Sequence, residues 1–230
     1  MTVKLYLESI EAAYARTFDA QVVAIDGNSI VLDRTLFYPL GGGQHWDTGV
    51  LSGPNGDINV QEVRGRGDVQ HTVETGHQLV VGDEVRGTVD WDTRYAHMRM
   101  HTAQHLMSGI AYELFNGVRT VGNQIHAEKS RIDFNPISFD EAMMERLVDV
   151  VNGHINTGLE VSDSVMTREE INTIMPPDRT NMNLLPASVR DLRVVQIGDQ
   201  VDLCPCAGTH VSNTSELGRV ELIGKKSKGK

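Results

Sequence analysis

The chain has 230 residues, long for one domain and comfortable for two. Hydrophobic residues make up 40%, enough for a buried core, and no run of 18 apolar residues occurs to build a membrane-spanning helix. With 31 acidic against 21 basic side chains the net charge is −10, which argues against a protein coated in nucleic acid but leaves room for a local basic patch.

The N-terminal stretch MTVKLYLESIEAAY carries charges where a secretion signal needs an apolar centre. The only cysteines are Cys204 and Cys206, too close for an ordinary structural disulfide, so a reducing cytoplasm is expected. The first ninety residues read as β structure. VVAI and SIVL flank Asp26-Gly27, a hairpin signal. GVLSG and INVQEV flank a Gly/Pro/Asn turn at 53–56, and EVRGTVDW at 84–91 alternates like a half-buried strand. Short strands punctuated by glycine predict a small barrel or sandwich.

The texture changes at Asp92, the expected N-cap of a helix running through DTRYAHMRMHTAQHLMSGIAYELFN. Met100, Ala103, Met107, Ile110, Ala111 and Leu114 give it an apolar stripe at helical spacing. RIDF at 131–134 reads as a strand. Ser138 with Glu141 forms a capping box for a helix ending near Gly158, and Thr167 with Glu170 repeats it ahead of a short helix stopped by Pro176-Pro177. DLRVVQI and GRVELIG read as further strands. The expected class is α+β: a small N-terminal β-barrel-like domain over 1–90 packed on an α+β domain over 91–230.

Within the second part, residues 101–105 read HTAQH and residues 206–210 read CAGTH. Side chains four apart on a helix share a face, so His101 and His105 can point at one ion. Cys206 and His210, in a Pro/Gly turn, supply a sulfur and a third nitrogen, and the four together make a tetrahedral set that favours Zn²⁺, one per chain. His97 lies a further turn back and is a surplus histidine. Cys204 breaks the four-residue spacing and is read as a spectator thiol. The glutamate that serves metalloproteases as base in H-E-x-x-H is missing, which disfavours a peptidase.

HTAQHLMSG, RIDF and CAGTHVSNTSELGRVELIG, with FYPLGGGQHWDTGVL upstream, resemble the editing domain of alanyl-tRNA synthetases and the free-standing alanyl-tRNA editing proteins of medium size. The resemblance spans nearly the whole chain. It implies a zinc-containing editing domain that deacylates mischarged tRNA(Ala), chiefly Ser-tRNA(Ala) and also Gly-tRNA(Ala), with no need for ATP. It implies zinc on His101, His105, Cys206 and His210, with His101 and Cys206 expected as catalytic residues. Gln44 matches the glutamine of the glycine-rich segment, as a catalytic and substrate-binding group, and Gly42 and Gly43 match the paired glycines linked to choosing serine. Arg131, with Asp133, falls on the strand after the histidine helix as a substrate-side candidate. His45 and Ala207 depart from the residues usual there.

Cations for tRNA phosphate are sought among Arg64, Arg66, Arg119, Lys129, Lys225, Lys226, Lys228 and Lys230. Two other readings stand beside this one. A tRNA-binding module with purely structural zinc would bind without turnover, and an editor of the threonyl system would share the HxxxH and CxxxH spacings.

Overall fold

The computed structural model describes residues 1–176, 179, 182 and 188–226. Contacts divide the chain into two compact units: residues 1–98 with 124–129 and 208–210, and residues 99–123 with 130–207 and 211–230. The expected α+β class and the N-terminal barrel are present.

The first unit opens with β1 (Val3–Lys4) and continues into β2 (Thr17–Asp26), β3 (Ser29–Leu32), the short β4 (Arg34–Thr35), β5 (Gly49–Gly53), β6 (Gly56–Arg64), β7 (Gln70–Val73) and β8 (Glu84–Val89). Strands β2-β3-β7-β6-β5-β8 close into a barrel. Period-two alternation drives the closure, because Phe18, Ala20 and Val22 of β2 and Val85 and Val89 of β8 all turn inward. Gly87 pairs with Phe18 across the ladder. A Cβ at Gly87 would lie 2.1 Å from the Phe18 ring, so the missing side chain is what admits the phenyl group. The first hairpin turns at Gly27 and Asn28, with Asp26 facing Ser29.

A buried ion pair braces the same unit. Arg94 and Asp47 are both fully buried, and Arg94 Nε donates to Asp47 Oδ2 at 2.9 Å. The guanidinium also donates to the carbonyls of Ala13 and Leu36, and the Tyr38 N–H donates to Asp47 Oδ2. Such a pair stands only when its remaining valences are met, as most of these are.

Helix α1 (Trp91–Leu114) begins two residues earlier than Asp92 predicts. Asp90 caps it, accepting from the Thr93 hydroxyl at 2.8 Å, and Asp92 sits in the first turn. The stripe is also broader than expected: Met107, Ile110 and Ala111 are buried, and so are polar His97, His101, Thr102, Gln104 and His105. The second unit adds β9 (Arg119–Ile125) paired with β10 (Ser130–Asn135), then α2 (Glu141–Thr157), β11 (Val161–Thr167), α3 (Arg168–Ile174), β12 (Asp191–Ile197) and β13 (Asp202–Pro205). The order β11-β12-β13 is antiparallel throughout.

The Thr167–Glu170 capping box forms as expected. Ser138 does not cap α2; the Asp140 carboxylate accepts from the Met143 N–H at 2.8 Å, and Gly158 closes the helix in the left-handed region. The expected strand GRVELIG has no ladder partner among the described residues. Instead the Asn152 amide grips Val220 alone, donating to its carbonyl and accepting from its N–H. A side-chain amide here takes the place that a neighbouring strand would fill. Pro177, Lys228 and Lys230 lie outside the described residues.

A candidate metal centre and the residues around it

Helix α1 supplies the first two donors. His101 and His105 lie one turn apart with ring centroids 5.1 Å from each other, and both are buried. Cys206 follows β13 and is gripped from two sides. Its N–H donates to the Arg193 carbonyl at 3.0 Å, and Arg193 Nη1 donates to the Cys206 carbonyl at 2.9 Å. Asp163 fixes that guanidinium through Nε at 2.8 Å. Cys206 Sγ comes within 3.6 Å of His101 Nε2. His210, four residues on, is fully buried. The four residues each offer one ligand atom, all within 4.8 Å of one another, and form a group that can hold a metal ion.

His105 Nδ1 lies 2.8 Å from Asp202 Oδ2. Burial acts to lower the His105 pKa, but the Cys206 thiolate and the Asp202 carboxylate outweigh it and raise the pKa to about 10. The Cys204 thiol is pushed well up by burial and by the charges of Asp202 and Cys206, which keeps it protonated and fits a spectator. His97 is not one of the four. It is buried, its pKa falls to about 4 because burial disfavours the charged ring, and its Nδ1 has no hydrogen-bond partner among the described residues. Its imidazole neighbour is His45, with centroids 6.2 Å apart.

The glycine-rich segment is a two-residue turn. Gly41 and Gln44 exchange both backbone hydrogen bonds around Gly42 (φ 57°) and Gly43 (φ 87°), the consecutive positive angles that favour glycine. Gly42 is exposed. Gln44 is wholly buried, and its amide meets Thr209 twice: Nε2 donates to the Thr209 hydroxyl at 2.9 Å, and Oε1 accepts the Thr209 N–H at 3.2 Å. Arg131 stands half in solvent on β10, paired with Asp133 at 3.3 Å.

Two family models match the chain: tRNA synthetases class II (A) over residues 4–93, and the threonyl and alanyl tRNA synthetase second additional domain over residues 192–230. The alanyl-tRNA editing protein AlaX-M of Saccharolobus solfataricus is 37% identical over 100% of this chain and 95% of its own length. The chain belongs to the alanyl-tRNA editing protein family. The AlaX-M protein of Methanosarcina barkeri is 35% identical, covering 94% of this chain and 91% of its own. The alanine–tRNA ligase of Pyrobaculum calidifontis is 39% identical over 92% of this chain, which corresponds to 24% of that longer protein.

Several features of this family member could not be read from the sequence. Asp202 and Arg193 carry no motif of their own and are recognised only through their partners, and Thr209, inside CAGTH, shows no sign there of its tie to Gln44. His45, the departure beside Gln44, stacks on Trp46 at 3.7 Å, and the Arg64 guanidinium lies 5.4 Å from the centre of the Trp46 ring. Arg64 is paired with Glu62, Lys225 donates to the Phe139 carbonyl, and Lys129 and Lys226 are exposed. No helix among the described residues is long and apolar enough to cross a membrane.

Proposed function

We propose that the protein is a cytoplasmic trans-editing deacylase that hydrolyses mischarged tRNA(Ala), chiefly Ser-tRNA(Ala) and also Gly-tRNA(Ala), with one Zn²⁺ per chain. In this reading residues 1–90 carry the glycine-rich turn and residues 91–230 are the editing domain. The observation that carries it is the convergence of His101, His105, Cys206 and His210. Ideal tetrahedral bonds of about 2.3 Å to sulfur and 2.05 Å to nitrogen put those two atoms about 3.6 Å apart. The Cys206–His101 separation is 3.6 Å, so this pair of donors fits zinc in type and in spacing.

Bound zinc supplies a Lewis acid that polarises an ester carbonyl or lowers the pKa of a water. The chain's own residues then do the positioning. Gln44 fixes Thr209, and with it the backbone next to the ligand His210. Gly42 and Gly43 leave room for substrate to approach the turn at backbone level. Arg131 offers a half-exposed cation to a phosphate. The second reading, a tRNA-binding module with structural zinc, requires all four residues to bind the ion at once and fill the tetrahedron.

The test is release of labelled amino acid from Ser-tRNA(Ala), Gly-tRNA(Ala) and Ala-tRNA(Ala) by wild type and Cys206→Ala. Rapid release of serine but not alanine, lost in the variant, supports the editor. Binding of tRNA with no release above the enzyme-free rate supports the module.

A further inference from the structure

We propose that Asp202 is the positioning residue of the metal centre: its carboxylate holds His105 by Nδ1, so that Nε2 is the nitrogen presented to the ion, and Arg179 fixes that carboxylate through a gap left by Gly109. The inference rests on the metal reading above and not on the substrate. Asp202 Oδ2 lies 2.8 Å from His105 Nδ1, and both side chains are more than nine-tenths buried. A carboxylate only accepts, so Nδ1 carries the proton and the ring is held in one tautomer and one orientation. The other oxygen of Asp202 lies 3.5 Å from Arg179 Nη2. Both oxygens are therefore engaged, and the carboxylate is kept from rotating towards the ion.

Arg179 is itself pinned. It donates to the Val201 carbonyl, reaches Met175 Sδ at 3.3 Å, and lies 5.0 Å from the centre of the Tyr112 ring. That approach needs Gly109, one turn beyond His105 on α1. A Cβ there would stand 2.2 Å from the Val201 carbonyl oxygen and 2.8 Å from Arg179 Nη2. The glycine in the middle of a helix, normally a cost, is thus explained by the approach of this strut.

Carboxylates that hold a metal-bound histidine typically change metal affinity about 10- to 100-fold when removed. The experiment measures zinc dissociation constants by chelator competition for wild type, Asp202→Asn, Arg179→Met and Gly109→Ala. Visible spectra of the cobalt-loaded forms and unfolding temperatures of the metal-free forms are recorded alongside. The expected result is about 10- to 100-fold weaker zinc and a shifted cobalt spectrum for Asp202→Asn, with smaller losses for the other two. Unchanged affinity and spectrum in folded Asp202→Asn would overturn the proposal, as would a drop in metal-free stability alone. If Asp202→Asn does not fold, Arg179→Met decides by the same two readouts. Wild type that takes up no zinc would overturn the metal reading itself, a result distinct from a wild type that binds zinc as well as its variants.

Discussion

His71 in the barrel and His105 on α1 are both buried, and in each the Nδ1 faces an oxygen at hydrogen-bond distance, 3.0 Å to the Ile30 carbonyl and 2.8 Å to the Asp202 carboxylate. Their pKa values move in opposite directions, His71 down to about 4 and His105 up to about 10. Burial opposes the charged ring in both. What differs is the charge around it: His71 has a carbonyl and the Thr35 hydroxyl, whereas His105 has a carboxylate and a thiolate. In the barrel a histidine serves as a neutral connector. Beside Cys206 it is one of a set of groups that a cation can organise. Changes to the charged partners should therefore have the largest effects, and changes to neutral or exposed ones the smallest.

The largest effect is expected from removing the thiolate. Cys206→Ala should lose its full equivalent of zinc, and so should His101→Ala; metal analysis after desalting checks this. Full retention by both would refute a shared site. Next comes the buried pair in the barrel. Arg94→Met leaves the Asp47 carboxylate buried without its counterion, and denaturant unfolding should show a loss of about 3–5 kcal/mol. A loss under about 1 kcal/mol would mean that the pair adds little to stability.

The same contrast explains what was legible in the sequence. The group of four that could hold an ion was legible because each pair sits four residues apart, a spacing that local geometry converts into proximity. The barrel was legible because alternation and Gly-rich turns are local signals. Asp202 was not, since its meaning depends on a histidine 97 positions earlier. Gln44 could be flagged by its motif, but its partner Thr209 is 165 residues away. GRVELIG failed for the complementary reason. Its pattern suits a strand, yet a strand needs a neighbour, and an asparagine side chain supplied the pairing instead.

A third prediction isolates the neutral histidine. In the neutral ring His71 Nδ1 donates to the Ile30 carbonyl and Nε2 accepts from the Thr35 hydroxyl, and burial disfavours a second proton. The folded pKa of about 4 is below the unfolded value of about 6.5, so the unfolded chain binds more protons between them. Stability is therefore present above pH 6.5 and is lost as pH falls towards 4, by about 3 kcal/mol in all from this group. Urea unfolding of wild type and His71→Gln at pH 7, 5.5 and 4 should show a shallower acid loss in the variant. Parallel curves would show that His71 is not the group that titrates.

The smallest effect tests whether partner charge still matters in solvent. Asp140 caps α2 with a carboxylate, while Thr167 caps α3 with a neutral hydroxyl. At the cap a carboxylate offers two things, a hydrogen bond to the Met143 N–H and a negative charge at the positive end of the helix. Asp140→Ala removes both and should cost about 1 kcal/mol. Asp140→Ser keeps the bond and drops the charge, so it should recover most of that loss, and high salt should narrow what remains. Equal losses in serine and alanine variants would mean that charge, not the hydrogen bond, holds this helix end. The rule drawn from the buried histidines would then extend to the surface.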